Sequence, residues 1–267
     1  MTLLEQNATA ALKSAESGSD ATAGLEKLNF IYAIVCGIIR RYSSKKAEGL
    51  LKFVRDGPSH STFGAQLAQR MGMLVAPHPF LTKGNYAVVK PLWMQRVYFE
   101  LVGPLLKLAT DQNAEAATRK NYSVAVVLLL RHMSFSIYET DADQVVRITI
   151  STAQSFGSGI EALAALDVLQ NILLESPEKG QDHLRSIINI CVPAFTTQQT
   201  GGADTQKAAI GKLALEIVGG LPKMYEARRL VQFVPRLERE LTLACGHGVR
   251  DLRRLARLAR QAWAPLK

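Results

Sequence analysis

Prolines recur along this sequence at nearly constant spacing. Pro177, Pro222 and Pro265 each follow a helical apolar pattern, and they lie 45 and 43 residues apart. A second series lies within apolar stretches, with separations of 89 and 42 residues, and consists of Pro104, Pro193 and Pro235. The separation of 89 is about two periods, so one repeat lacks its proline.

This recurrence constrains the fold because an interior proline costs roughly 3 kcal/mol in an isolated helix. Because proline recurs at the same position of successive repeat units, we infer a bend at the same place in each unit. A unit of about 40–47 residues, with two helices of which the first is bent by proline, is typical of HEAT repeats. We therefore predict an all-α fold, a right-handed α-solenoid of HEAT-type helical pairs. The alternative is an irregular helical bundle in which the prolines recur by chance.

Apolar residues at intervals of three and four predict helices through most of the chain. The β-branched run Val145–Ile150 has no hairpin signal on either side, so we predict a helix there as well. Glycine, proline and polar clusters predict the breaks between helices. They fall at Asp56–Pro58, Ala76–Pro79, Thr110–Asn113, Gly157–Gly159, Ser176–Pro177, Thr200–Gly202, Leu221–Pro222 and Cys245–Gly248.

The breaks define about five helical pairs, preceded by a partial unit at Leu25–Tyr42. The pairs are Ser43–Ala76, Lys90–Met133, Asp141–Glu175, Lys179–Gly220 and Tyr225–Ala264. Residues 1–24 hold few large apolar side chains after Leu12, so we predict a frayed N-terminal segment there. Residues 25–267 then form the HEAT-repeat solenoid.

Positive charge is concentrated at the end of the chain. The 267 residues carry a net charge of +9, of which +7 belongs to residues 223–267. Such an excess often indicates an anionic partner. Its position on the last repeat and a half predicts a local docking surface.

Several classes of protein are not expected. No apolar run approaches the ~20 residues of a membrane span, and the first residues lack the basic start and apolar stretch of a secretory signal. Cys36, Cys191 and Cys245 are odd in number and scattered, which suits reduced thiols in an intracellular protein. We therefore expect a cytoplasmic and nuclear protein without contact to membranes.

Motifs for catalysis or metal binding are also lacking in the sequence. Phe156–Gly159 does not have the spacing of a nucleophile elbow, and Gly211–Lys212 lacks the earlier glycine of a phosphate-binding loop. Cys245–His247 has no further ligands nearby, although a structural zinc site needs four. The scattered histidines fit helix capping or solvent exposure. We expect neither an enzyme nor a cofactor.

The last helix shows two patterns of side chains. Apolar or small residues follow one face, and they are Leu252, Leu255, Ala256, Ala259, Ala262 and Trp263. Arginines follow a neighbouring face. We predict that the first pattern packs, with Trp263 as the core residue of the last repeat, and that the second faces solvent.

Nine arginines in this region form the predicted partner-binding surface. They are Arg228, Arg229, Arg236, Arg239, Arg250, Arg253, Arg254, Arg257 and Arg260. Guanidinium groups offer paired donors that suit carboxylates or phosphates. The alternative is a solvated end cap, because a terminal repeat needs a polar outer face. Pro104, Pro193, Pro235 and Trp263 are predicted to be structural.

Several segments resemble one known family. The first segments are Ile31–Arg40, Leu50–Leu51, Leu81–Asn85 and Met94–Tyr98, and the last is the closing helix with Leu252–Arg254, Ala256, Ala259–Arg260 and Trp263. In this order and spacing they resemble the carboxy-terminal HEAT region of the cytosolic iron–sulfur assembly targeting scaffold. That family was first named for methyl-methanesulfonate sensitivity and was long described as a DNA repair and transcription factor.

The resemblance implies a non-catalytic adaptor. In that family the carboxy-terminal repeats dock a MIP18-family assembly factor, which is itself bound to a WD-repeat propeller protein. The whole scaffold helps to bring in apo iron–sulfur client proteins, many of them in DNA replication and repair. The resemblance also implies that this chain is the carboxy-terminal part of a longer scaffold.

A nucleic-acid-binding helical-repeat protein, acting directly in repair or transcription, is the alternative function. Few aromatic residues, such as Phe233 and Trp263, are interleaved with the arginines of the charged region, so base stacking is expected to be weak. For this reason we do not expect direct binding of nucleic acid.

Overall fold

The described part of the chain is built from helices joined by short connections. The structure is a computed structural model, and it describes residues 21–41, 44–77, 91–196 and 205–266 together with Gln6 and Ala10. Every regular element in these ranges is helical, which confirms the predicted all-α fold. The chain divides into two compact units, Met1–Tyr138 and Glu139–Lys267.

The first unit has its core around the helix that ends in the apolar run Val124–Leu130. Its α-helices are α1 (Ala21–Arg41), α2 (Ser44–Asp56), α3 (Gly64–Arg70), α4 (Pro91–Val97), α5 (Gly103–Thr110), α6 (Ala116–Leu130) and α7 (Phe135–Tyr138). Helices α3 and α5 both pack on α6. This explains why the run Val124–Leu130 is buried on every side.

The second unit consists of three stacked helical pairs. Its α-helices are α8 (Ala142–Phe156), α9 (Ile160–Glu175), α10 (Leu184–Thr196), α11 (Thr205–Met224), α12 (Ala227–Leu230), α13 (Val234–Ala244) and α14 (Arg250–Trp263). Helices α8, α10 and α13 contact one another in succession, and so do α9, α11 and α14. The two rows form two layers, with each pair joined across them.

Three hydrogen bonds join residues that lie about one repeat apart in the second unit. Their sequence separations are 45, 48 and 47 residues. They run from Trp263 Nε1 to the Val218 carbonyl at 2.9 Å, from the Tyr225 hydroxyl to the Pro177 carbonyl at 2.5 Å, and from Arg236 Nη1 to Asn189 Oδ1 at 2.5 Å. The spacing found in the prolines is therefore also the interval of contacts between successive pairs.

The three prolines of the interior series occupy related positions. Pro193 lies inside α10, as expected. Pro104 and Pro235 instead lie in the first turn of α5 and α13, directly after a π-helical turn (Tyr98–Val102) and a 3₁₀ turn (Val231–Phe233). Because proline has no N–H and its ring crowds the preceding carbonyl, the chain changes its helical hydrogen bonding just before the ring.

Most of the predicted helix ends that can be compared agree with the structure. Helices end at Asp56, Thr110, Phe156, Glu175 and Ala244. After Phe156 the chain turns through Gly157, whose φ of 49° favours glycine. The β-branched run after Val145 is helical within α8, because burial of one face outweighs its β-propensity. The predicted break at Thr200–Gly202, part of that at Ala76–Pro79, the Leu81–Asn85 segment and most of residues 1–24 lie outside the described residues.

The predicted break at Leu221–Pro222 is wrong, since α11 continues to Met224 with Pro222 inside its last turn. Proline removes the hydrogen bond that residue 222 would otherwise donate to the carbonyl of Val218. That carbonyl accepts the indole N–H of Trp263 instead. The indole therefore replaces the backbone donor that proline lacks, and the helix does not need to end.

This exchange predicts coupling between Trp263 and Pro222. We expect Trp263→Phe to lower the free energy of unfolding by about 1–3 kcal/mol, because a buried carbonyl loses its donor. In a Pro222→Ala background, the backbone N–H of the introduced alanine can donate to the Val218 carbonyl. Trp263→Phe should then lower the free energy of unfolding by less than it does in the parent chain. Urea denaturation of the four chains of this double-mutant cycle measures the difference. Equal costs in both backgrounds would contradict the exchange.

Candidate protein-docking surface

All nine predicted partner-binding arginines belong to the second unit. Arg228 and Arg229 lie on α12, Arg236 and Arg239 lie on α13, and the other five lie on α14. They differ in what each guanidinium contacts. Within the part of the chain that the structure describes, six of the guanidinium groups have a hydrogen-bond or ion-pair partner and three do not.

Helix α14 is held against α11 by one face. This face carries Leu252, Ala256, Ala259 and Trp263, all buried and spaced four, three and four residues apart. Opposite them, α11 has glycines at two close approaches. A Cβ at Gly211 would lie 3.0 Å from the Ala194 carbonyl and 3.4 Å from Leu252, and one at Gly219 would lie 3.3 Å from Ala259. The small residues let the helices come close, and the last helix thus has a fixed orientation.

Two arginines of α14 hold it to its own helical pair. Arg253 Nη1 donates to the carbonyls of His247 and Gly248, at 2.8 Å each. Arg260 donates from Nε and Nη2 to Glu238 Oε1 on α13, at 3.0 and 2.8 Å. Both side chains therefore stabilise the α13–α14 connection, which limits their availability to a partner.

The arginines of α12 and α13 also have acceptors close by. Arg228 pairs with Glu226, and Arg239 pairs with Glu240 at 2.6 Å. Arg236 binds Asn189 of α10. Arg229 faces the side-chain amide of Gln181, at 2.8 Å when the amide oxygen is turned toward it. Exposed pairs of this kind contribute little to stability, but each one occupies a donor.

Arg250, Arg254 and Arg257 form a separate group, which we call the arginine stripe. They are spaced four and three residues apart, and all three are exposed. Each lies two residues before a member of the buried face, so the stripe is rotated about 200° from it. Among the described residues none of the three forms an ion pair or hydrogen bond through its side chain. The stripe therefore lies on the side of α14 that faces away from α11.

An exposed leucine adjoins the arginine stripe. Leu258 follows Arg257 in sequence, is one turn beyond Arg254, and is 54% exposed. The sequence pattern of the last helix did not include it in either face. The sequence did contain a signal for its exposure. Leu258 does not fit the spacing of the buried residues of α14, so this apolar side chain must lie among cations and in contact with water.

The three aromatic residues of positions 223–267 are buried. Tyr225 and Phe233 are each 8% exposed and Trp263 is 1% exposed, and the Trp263 N–H is already bonded to Val218. None of these rings is available as a platform for nucleobases, which would need an exposed face. The surface is thus cationic with an apolar neighbour.

Arg40 in the first unit was not predicted as a site, and its role is structural. Its half-buried guanidinium donates to the carbonyls of Leu74 at 2.8 Å and of Ala76 at 3.3 Å, and also to that of Met73. These carbonyls lie at the end of the 3₁₀ turn Met71–Leu74 and just beyond it, where helical donors are lacking. Burial lowers the pKa of Arg40. A single arginine at the end of an apolar helix gives no signal of this contact in the sequence.

The cysteines differ in exposure. Cys36 and Cys191 are buried, whereas Cys245 is partly exposed. Burial raises the pKa of Cys191 to about 12, and burial also raises the pKa of Cys36 to about 12, against a smaller opposing effect of Arg40. Thiolates, the form that binds metals, are disfavoured at both positions.

The described ranges contain no group of three or more His, Cys, Asp and Glu side chains arranged to hold a metal ion. Two histidines serve as caps. His60 Nδ1 accepts the backbone N–H groups of Thr62 and Phe63 at 3.3 Å, and His247 Nδ1 accepts that of Val249 at 3.0 Å. Within the same ranges, no helix combines the length and the apolar character needed to cross a membrane.

Comparison with known proteins gives a family match and several similar structures. The family model MMS19_C, described as "RNAPII transcription regulator C-terminal", matches residues 1–222. The match ends before α12, so the nine predicted partner-binding arginines lie beyond it. No curated protein matches the sequence.

Two of the similar structures are those of engineered or designed proteins at low sequence identity. The crystal structure of an engineered protein aligns with a TM-score of 0.58 at 13% identity, covering 100% of this chain and 98% of that one. A designed armadillo repeat protein aligns with a TM-score of 0.54 at 13% identity, covering 97% of this chain and 99% of that one. Together with the stacked pairs, these likenesses confirm that the fold is an all-α solenoid.

Adjacent arginines on α14 should differ in their effect on stability. We expect Arg253→Ala to lower the free energy of unfolding by about 1 kcal/mol, because two carbonyls at the start of α14 lose their donor. Arg254→Ala removes the same charge from an exposed side chain and should change it by less than about 0.5 kcal/mol. Urea denaturation measures both. If Arg254→Ala lowered the free energy of unfolding as much as Arg253→Ala, the assignment of Arg253 as bonded and Arg254 as free of side-chain partners in the described residues would be contradicted.

The thiols should react in two classes. At pH 8 we expect a thiol reagent to modify Cys245 in the folded protein, while Cys36 and Cys191 react only after unfolding. The Cys245→Ser variant is the control and should show no rapid reaction. Burial raises the pKa of Cys191 to about 12, above the ordinary 9.0. The buried, protonated thiol therefore contributes its full stabilisation of the folded state below pH ~9, and this stabilisation is lost as the pH rises toward 12. Rapid modification of all three cysteines would contradict the assigned burial.

Proposed function

The chain belongs to the RNAPII transcription regulator C-terminal family, MMS19_C, and on that premise we propose that it is a non-catalytic adaptor of the cytosolic iron–sulfur protein assembly targeting complex. In this role it docks a MIP18-family assembly factor and, through it, a WD-repeat propeller protein. The assembly helps to deliver clusters to apo-proteins of DNA replication and repair. The proposed compartments are the cytoplasm and the nucleus.

The observation that carries this proposal is the cationic surface at the end of the second unit. Residues 223–267 hold a net charge of +7, and the arginine stripe with Leu258 places guanidinium groups that are unpaired among the described residues beside an exposed apolar side chain. Arginine is enriched in protein interfaces, where it pairs with carboxylates around an apolar centre. Stacked helical repeats present such surfaces on a rigid support.

The state of the cysteines supports an adaptor rather than a cluster carrier. Iron–sulfur clusters are held by groups of thiolates. Cys36 and Cys191 are buried with raised pKa values, and the three cysteines lie on separate elements. The proposed role therefore brings proteins together and leaves cluster ligation to the partners.

Direct nucleic-acid binding is the second candidate, because unpaired arginines also suit phosphates. Two features weigh against it. The aromatic side chains of the region, Tyr225, Phe233 and Trp263, are buried, and most of its arginines already have acceptors in the chain. A protein partner with an acidic surface therefore fits the site better.

Co-purification of the intact chain tests the proposed function. We expect the MIP18-family factor to bind the chain directly, and the WD-repeat protein to be retained only when that factor is present. A truncation at Pro222 is a poor comparison, since it uncovers Val218 and Gly219, which α14 covers. Lack of binding by the factor, or binding of the propeller without it, would contradict this order of assembly.

The second candidate is checked in parallel with a duplex DNA and a single-stranded oligonucleotide. The expected result is no mobility shift at about 50 mM salt, where phosphate contacts are strongest. A shift that falls steeply with salt, together with failure of the co-purification, would favour the nucleic-acid function.

A further inference from the structure

We propose that the arginine stripe docks one acidic amphipathic helix of a protein partner, which stacks on α14 as α14 stacks on α11. This inference rests on the proposed adaptor function, because it specifies the surface and the chemistry of docking. It separates Arg250, Arg254 and Arg257 from the six other arginines of the region.

The position of the stripe in the stack is the first step. Helices α9, α11 and α14 form one layer in which each helix covers the side of the one before it. Trp263 and Ala259 fix α14 on α11. The stripe is on the opposite side, so its side chains project toward the place where a further helix of this layer would lie.

The spacing of the charges is the second step. Seven residues separate Arg250 from Arg257, which is about 10 Å along a helix. A helix with carboxylates at positions i, i+4 and i+7 presents them along one face at the same pitch. Each guanidinium can then pair with one carboxylate, and because each is unpaired among the described residues, no pairing within that part of the chain is lost.

The apolar neighbour is the third step. Leu258 lies beside Arg254 and Arg257 and is largely in water. An apolar side chain on the edge of the partner's acidic face would cover it and exclude water from the neighbouring ion pairs. The combination of an apolar contact with flanking arginines specifies an amphipathic segment rather than a merely acidic one.

A nucleic acid fits this surface less well. Three phosphate contacts would give a salt dependence with a slope of only about −2.7, which corresponds to weak non-specific binding. Leu258 would remain uncovered against a phosphate backbone. The observations therefore favour a protein segment, and DNA serves as a competing probe.

The test uses the intact chain and two variants with the same change in net charge. One variant is Arg250→Glu/Arg254→Glu/Arg257→Glu. The matched control, Arg147→Glu/Arg185→Glu/Lys212→Glu, reverses three exposed cations on α8, α10 and α11 for which the structure shows no side-chain partner in the described residues. Circular dichroism and thermal melting verify that both variants fold as the parent chain does.

The probe is a labelled helical peptide with glutamates at i, i+4 and i+7 and a flanking leucine, compared with a permuted peptide of the same composition. By fluorescence anisotropy, we expect the chain to bind the patterned peptide at least about tenfold more tightly than the permuted one. The stripe variant should lose at least about tenfold in affinity, and the control should stay within about twofold. A peptide with lysines in place of the glutamates should bind the stripe variant and not the parent chain.

Equal binding of the two peptides, or equal losses in the stripe variant and the control, would overturn the inference, because general electrostatic attraction would then explain the result. Tighter binding of a duplex DNA that depends on the stripe would also overturn it. A Leu258→Ser variant should weaken binding of the patterned peptide without affecting the fold; unchanged affinity would refute the apolar contact and, with it, the amphipathic helix as the occupant.

The MIP18-family factor distinguishes this inference from the proposed function. If the factor binds the parent chain and the stripe variant equally, the adaptor function stands and the docking surface is wrong. If the factor does not bind but the patterned peptide does, with rescue by the lysine peptide, the surface stands and the proposed partner is wrong. Each result therefore bears on one of the two claims.

Discussion

The second unit depends on the hydrogen bond from the Trp263 indole to the Val218 carbonyl. Pro222 leaves that carbonyl without its helical donor, and the indole supplies one from the end of the following repeat. The bond therefore keeps α11 helical through its proline and holds α14 on α11 at the same time. An unpaired buried carbonyl is costly, so the end of each of these helices is stabilised by the presence of the other.

The orientation of α14 follows from this bond and from the close approach at Gly219. Once one face of the helix is fixed against α11, the side chains two residues before each buried position must project the opposite way. The arginine stripe is therefore a consequence of the packing. Its three guanidinium groups are unpaired among the described residues, whereas Glu238 binds Arg260 and Asn189 binds Arg236.

Much of the fold could be predicted from the sequence. The apolar periodicity and the breaks gave the helices, including α8 with its β-branched run, because burial of one face decides between helix and strand. The spacing of the prolines indicated the repeat. The break at Pro222 was wrong, because the donor that compensates for the proline is 45 residues away from Val218 and local patterns carry no information about it. The arginines were predicted as one surface for the same reason, since the sequence shows charge but not the acceptors that tertiary packing brings near.

By itself, the sequence determined an all-helical repeat with an excess of positive charge at its end, because periodicity and composition act locally along the chain. Only the tertiary structure decided which arginines hold the last pair together and which face outward. The physical reason is that a guanidinium is engaged or available according to the acceptors within about 3 Å of it, and those acceptors come from other helices. The same holds for Trp263, whose burial the pattern indicated but whose bond to Val218 only the stacking of the repeats creates.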